Sequence, residues 1–276
     1  MINVERKVES EEEEFKMEIK LLSKDKAKVR VHVKGTTAAE MNTYRRTILD
    51  KLPAMAIDTV EFLENSSALY DEMLAHRLGL VVLKTDVESY FIRENCKCKG
   101  VGCARCTLDL TLDVEGPCMV YAEQLKSKDP AVIPVHGKTL LVKLLANQKV
   151  KLIAHAILSS GNEHIKFSPG IMYYQGYPNI KIADVKSPDA IAGICPTGVF
   201  SSDHKKLVIK NKEACTLCMA CVDASKGEVE VKGSETEFIV TIEPWGQLTA
   251  TGMVEGLVDA LHEQIDALSE EIKKLK

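Results

Sequence analysis

Two groups of cysteines carry the chemistry open to this sequence. Cys96, Cys98, Cys103 and Cys106 fall within eleven residues, with Gly100 and Gly102 allowing a tight turn between the pairs. A C-x2-C pair can set two sulfurs on one edge of a tetrahedron, and a C-x-C pair can supply the opposite edge. Four thiolates with no open position suit structural Zn²⁺, and Lys97, Lys99 and Arg105 would offset the charge of such a site. The other reading is four free thiols in a loop that fills only in part. The second group is Cys215, Cys218 and Cys221, a C-x2-C-x2-C run with Cys195-Pro196 upstream. Three close thiolates and a remote Cys-Pro have the spacing of ligands to one cuboidal iron–sulfur cluster, 4Fe-4S or 3Fe-4S. Zinc held by the same four sulfurs is the alternative, because thiolates suit both metals.

Other catalytic patterns fail. Gly137-Lys138-Thr139 looks like the end of a phosphate-binding loop, but Val132 stands where its first glycine belongs. The seven histidines form no H-E-x-x-H pair, and His76 and His164 read as structural or interface residues. No G-x-S-x-G elbow is present. The chain offers metal ligands without an active site of its own.

Composition narrows the class. A chain of 276 residues has room for one to three domains, and 45% apolar with 28% charged residues is ordinary for a globular protein. The net charge of −4 gives no global reason to bind nucleic acid. No apolar run approaches the ~20 residues of a membrane span. The polar, acidic start does not read as a signal peptide, and nine cysteines without one argue for ligation in a reducing, cytoplasmic setting rather than disulfides. Cys118, beside Met119 and Val120, reads as a small core residue.

The elements that must position these groups are largely β. Five glutamates within residues 9–14 read as a solvated end. Phe15, Met17, Ile19 and Leu21 alternate with charged residues, as do Val29, Val31 and Val33, which predicts a hairpin with one buried face. Thr37-Ala38-Ala39-Glu40 is a capping-box pattern opening a helix through Met41, Tyr44, Ile48 and Leu52 that Pro53 stops. Arg45 and Arg46 on this helix form a solvated basic face or dock on an acidic partner. Residues 56–64 read as a strand, and 70–83 as a short helix leading into a buried strand. TLDLTLDVEG, PAVIPV and the 139–158 stretch are β-rich, the last divisible into two strands around Ala146-Asn147-Gln148. Val229, Val231 and residues 238–243 return to strand character. A long helix follows Pro244 and Gly246, with Val254, Val258, Leu261, Ile265, Leu268, Ile272 and Leu275 in alternating steps of four and three. That is an a/d seam, which asks for a facing helix within its own domain or on another chain.

Two resemblances join these observations. In bacterial two-cluster ferredoxins the run is C-x2-C-x2-C-x3-C-P, its last cysteine ligating the other cluster. Here Val185, Pro188 and Ile191 stand at the partner positions of Cys195, and Ser225 at the fourth position after Cys221, which leaves ligands for one cluster. The segments MNTYRRTILDKLPAMAIDTVEF (41–62), NSSALYDEMLAHRLGLVVL (65–83) and GNEHIKFSP (161–169) resemble the alpha-like subunits of multisubunit RNA polymerases. The similarity is closest to the archaeal D-type subunits.

The resemblance implies an α+β fold. A discontinuous dimerisation domain would take residues 1–52 and 234–276, a mostly β inserted domain with the four-cysteine loop 53–173, and a ferredoxin-like insertion 174–233. It implies a non-catalytic assembly subunit of DNA-directed RNA polymerase, a nucleotidyltransferase as a complex, in the cytoplasm. The expected partners are the small alpha-like subunit L as heterodimer partner, subunits N and P, and the second-largest catalytic subunit, with no sequence-specific DNA contact and no membrane. Arg45, Arg46 and the 70–80 segment would belong to the assembly surfaces. The competing reading is a ferredoxin-type electron-transfer subunit of an oxidoreductase.

Overall fold

The computed structural model describes residues 17–25 and 27–275. The glutamate run, the acidic start and Phe15 lie outside them. The elements in chain order are β1 (Glu18–Lys24), β2 (Val29–Lys34), α1 (Ala38–Asp50), β3 (Pro53–Asn65), α2 (Asp71–Gly79), β4 (Leu108–Glu115), β5 (Cys118–Tyr121), β6 (Lys126–Ser127), β7 (Leu140–Leu144) and β8 (Lys149–Ser160). β9 (Gly170–Ile182), α3 (Pro188–Ile194), β10 (Phe200–Asp203), β11 (Lys206–Ile209), α4 (Ala220–Ser225), β12 (Val229–Pro244) and α5 (Ala250–Lys274) follow. This is a mixed fold, richer in strands than in helices. The strands form sheets in the orders β1-β2-β12-β9, β3-β8-β4-β6, β5-β7 and β10-β11. Contacts divide the chain into two units. One takes residues through Leu22, Val31–Ala38 and Tyr174–Val240; the other takes Ser23–Arg30, Ala39–Tyr173 and Thr241 onward.

The larger unit is built on β8. Its alternation buries Val150, Leu152, Ala154, Ala156 and Leu158 on one face. β3 pairs with it antiparallel from Pro53↔Ser160 to Asn65↔Val150, and β4 from Leu108↔Ala156 to Glu115↔Lys149. Leu108, Leu110 and Leu112 of β4 join the same core, and α2 lays Leu74 and Leu78 into it. Truncating any of these leucines to alanine would cost about 2–5 kcal/mol. α1 buries Met41, Thr47 and Ile48, and the chain turns into β3 at Pro53, whose ring cannot continue a helix.

The GNEHIK segment is explained by crowding at the end of α1. A side chain at Gly161 would collide with the Leu49 carbonyl, and the buried Ser168 donates its hydroxyl to that same carbonyl. Lys166 in this segment pairs with Asp58 at 3.1 Å.

Several expectations are corrected. The strand anticipated after α2 does not form. Residues 81–83 make a single bridge, Leu83↔Pro134, flanked by Val135 N–H to the Val82 carbonyl and Lys84 N–H to that of Ile133. The pairing extends no further on either side. β7 and β8 both form, yet they enter different sheets, β7 pairing with β5. β1 leaves Ile19 and Leu21 exposed; it is one edge of its sheet, and of the two hairpin strands only β2 carries buried positions, Val33 among them. Cys118 is half-buried and packs against the core.

α5 is capped by Thr249, whose hydroxyl accepts the Gly252 N–H at 3.0 Å. Met253 and Leu257, 0% and 7% exposed, face the unit. Those two lie beside the seam, not on it. Val258, Ile265 and Leu268 are 46%, 60% and 63% exposed, and Val254, Ile272 and Leu275 are exposed as well. Among the described residues six of the seven seam positions are exposed, and Leu261 is half-buried.

Candidate metal centres

The four-cysteine loop rises from one hydrogen bond, Phe91 N–H to the Arg105 carbonyl at 2.8 Å. Within it, Lys99 N–H bonds the Cys96 carbonyl, and the N–H groups of Cys106 and Thr107 bond that of Cys103. Lys99, Gly100 and Gly102 take positive φ, which bends the chain back on itself. All four sulfurs lie within 4.8 Å of one another. Cys96–Cys103, Cys98–Cys106 and Cys103–Cys106 are 3.6, 3.5 and 3.8 Å apart. A tetrahedron with bonds of about 2.3 Å has edges of about 3.8 Å. The group therefore fits one tetrahedral ion, and it could bind a metal ion as it stands.

Electrostatics at this loop favour a cation. The Gly102 backbone N–H stabilises the Cys98 thiolate and brings its pKa down to about 6. At Cys96 the Cys98 N–H acts the same way, but burial and the three neighbouring sulfurs outweigh it and push the thiol up to about 12. Four adjacent sulfurs cannot all ionise without a positive centre to share.

The second group is assembled from separate turns. Cys195 follows α3, Cys215 follows the turn Lys212–Ala214, and Cys221 lies in α4. Leu217 and Met219, on either side of the exposed Cys218, both have positive φ. Burial opposes the Cys195 thiolate, but the Val199 N–H, the Thr197 hydroxyl and two further backbone N–H groups prevail, so its pKa falls below the ordinary value. Burial raises the thiols of Cys215 and Cys221, and the neighbouring sulfurs add to this. Among the described residues, only the 96–106 sulfurs converge to single-ion distances. A cuboidal cluster, with its irons at separate corners, needs its ligands farther apart than one ion does.

The positions that would ligate a second cluster are otherwise engaged. Ile191 is buried in an apolar cluster with Val199, Phe200, Leu207, Val229 and Val231, and Val185 packs against it. Pro188 opens α3 and is buried. The Ser225 hydroxyl donates to the Val222 carbonyl at 3.1 Å and accepts the Val229 N–H at 3.0 Å.

Other positions took unexpected places. Arg45 clamps Asn42 through Nε and Nη2, and the exposed Arg46 lies 3.9 Å from Asp50, so both answer to their own helix. Gln175 was not legible as a site residue. Its Nε2 donates to the Cys215 carbonyl at 2.7 Å, across forty positions of sequence. Thr197 had a signal, a hydroxyl two residues after Cys195.

Comparison with known proteins agrees with the β3–β8–β4 core and its loop. Residues 55–172 match the family described as the RNA polymerase Rpb3/RpoA insert domain. The DNA-directed RNA polymerase subunit Rpo3 of Archaeoglobus fulgidus is 31% identical over 262 residues, covering 94% of this chain and 99% of the relative. The same subunit of Methanosphaera stadtmanae is 33% identical over 261 residues, 91% of this chain and 96% of the relative. That of Pyrobaculum arsenaticum is 30% identical over 260 residues, 93% and 96%. The likeness runs well beyond the insert domain on both sides, and the chain belongs to the archaeal Rpo3 family of DNA-directed RNA polymerase subunits.

Proposed function

We propose that this chain is a non-catalytic scaffold of the polymerase. α5 pairs with the small alpha-like subunit L, and the heterodimer takes up subunits N and P and docks the second-largest catalytic subunit. The observation that carries this reading is the bare seam on α5. A 25-residue helix already anchored by Met253 and Leu257 presents exposed Val254, Val258, Ile265, Leu268 and Ile272, with the half-buried Leu261 among them, on another stripe. Covering each such side chain is worth about 1.5–3 kcal/mol, enough in sum to hold a partner helix. The dimerisation domain would comprise residues 1–52 and 234–276, with 53–173 and 174–233 as the two insertions. Arg45, Arg46 and the 70–80 segment would lie on assembly surfaces.

The loop ligands Cys96, Cys98, Cys103 and Cys106 would hold structural zinc, a role their sulfur spacing supports. Cys195, Cys215, Cys218 and Cys221 would hold one iron–sulfur cluster, fixing the fold of residues 174–233 or reporting its oxidation. The packed Val185 and Ile191 and the engaged Ser225 argue against a second cluster. A ferredoxin-type electron-transfer subunit is the weaker reading, since relay between two clusters has no second set of ligands here and the α5 seam would have no purpose.

The test is co-expression with subunit L. The wild type should be recovered as a 1:1 complex, and a variant with Leu261, Ile265 and Leu268 all changed to glutamate should lose the partner. Undiminished pairing by that variant would sink the assignment. For the cluster, equal complex yields from wild type and Cys215→Ser, under both air and argon, would rule out a role in assembly.

A further inference from the structure

Four thiolates around one Zn²⁺ carry a net charge of about −2, which the protein has to balance. Lys97, Lys99 and Arg105, the cations that the loop itself offers, are all exposed, so water and salt screen them. The ligand in greatest need of support is Cys106. It is 0% exposed, the deepest of the four, while Cys98 and Cys103 keep contact with solvent. A sulfur out of reach of water depends on donors from the protein.

Two donors reach the Cys106 sulfur. The Cys103 N–H lies 3.3 Å away and the Thr107 Oγ1 3.9 Å. Thr107 is itself held from two sides. Its N–H bonds the Cys103 carbonyl, and its hydroxyl oxygen accepts Arg93 Nη2 at 3.3 Å. With the oxygen accepting there, the hydroxyl proton is left to turn toward the sulfur. Arg93 also meets the entry of the loop, where its carbonyl accepts the Cys96 N–H at 3.3 Å. Its guanidinium is short of partners. Nε is buried with no hydrogen bond, and the side chain forms no ion pair among the described residues. The two carboxylates that line the same pocket are engaged elsewhere, Asp109 with Lys128 and His155 and Asp129 with the Tyr90 hydroxyl. A half-buried cation of this kind gains from a negative centre nearby, and a filled thiolate site is one.

We propose that Arg93, acting through the Thr107 hydroxyl, orients Cys106 and balances the charge of the filled loop, a role that rests on the reading of Cys96, Cys98, Cys103 and Cys106 as zinc ligands. Arg93 is a positioning residue and does not touch the metal. Thr107 carries its effect to the sulfur, and Lys97, Lys99 and Arg105 add little.

The full-length chain is dialysed against a graded series of zinc–chelator buffers, and bound zinc is counted by elemental analysis. Zinc held by the wild type beyond that held by Cys103→Ser is loop zinc, which separates it from metal on Cys195, Cys215, Cys218 and Cys221. Arg93→Met should loosen loop zinc about tenfold or more, and Arg93→Lys, which keeps the charge, should recover most of that loss. Thr107→Val, close in shape but without the hydroxyl, should loosen it about tenfold, and Thr107→Ser should hold it as the wild type does. The two rescues separate charge and hydroxyl from mere packing, and the Thr107 pair carries the test if Arg93→Met does not fold. Lys97→Ala, Lys99→Ala and Arg105→Ala combined should change the affinity by less than about threefold. A wild type without loop zinc would overturn the zinc reading and this role with it. Loop zinc that Arg93→Met and Thr107→Val hold as tightly as the wild type would overturn the role of Arg93 alone. So would failure of both conservative variants to restore binding, or a larger loss in the combined alanine variant.

Discussion

The two cysteine groups solve one ligation problem in opposite ways. The 96–106 loop gathers its four sulfurs from adjacent turns, and its backbone hydrogen bonds run almost wholly within the loop. The 195–221 group takes its cysteines from the end of α3, a turn and α4, with Cys215 and Cys221 buried among Ile191, Phe200 and Val231. The first can form wherever its short chain is closed. The second exists only when its surrounding core exists, and a cofactor held there would add a central constraint to that core. A local site is a clip on a fold; a distributed one is part of the fold.

The largest effect should come from the distributed site. Cys221→Ser places an unpaired hydroxyl among apolar side chains and removes a ligand, with an expected loss of about 3 kcal/mol or more. Hydrogen exchange should rise across residues 188–231. Cys103→Ser should leave exchange in β3, β8 and β4 at wild-type levels, and a rise there would erase the contrast. Next in size is chelation of the loop metal. One equivalent should be released with a fall in Tm of a few degrees, while near-ultraviolet dichroism of the core persists. A smaller change, Gly102→Val, forces a branched side chain to φ +101°. It should cost about 1–3 kcal/mol of loop stability and appear as weaker metal affinity, not as core unfolding.

The smallest effect tests the sheet beside the loop. The Asp109 carboxylate on β4 takes hydrogen bonds from Lys128 at 2.6 Å and His155 at 2.7 Å, and these hold its pKa below 3.8. A group lowered in the folded state binds its proton more readily when unfolded. Its contribution is therefore complete above about pH 3.8 and disappears as the pH falls through the lowered value. Asp109→Asn should lower stability by up to about 1 kcal/mol at neutral pH, and the gap to wild type should close in acid. A gap that stays constant with pH would mean the pair contributes through packing alone.

Much of this was legible from sequence because its causes are local. The alternation in β8, the Pro53 stop after α1 and the Pro244–Gly246 break before α5 each depend on a few neighbouring residues. The ligand spacing of the 96–106 loop is legible for the same reason. What failed depends on partners distant in the chain. The 81–83 strand needed a ladder, and its distant partner segment supplies a single bridge at Pro134. β7 and β8 look like a hairpin, yet β7 pairs with β5. The face of α5 that docks inward was invisible behind a more regular seam, and nothing near Gln175 announces its bond to Cys215.

The hydrogen bond from Phe91 to Arg105 has a final consequence. It brings entry and exit of the four-cysteine loop side by side, so the thirteen intervening residues could be replaced by a tight turn without moving either end. Such a loop is a detachable attachment: its length and sequence can change while the strands beneath keep their register.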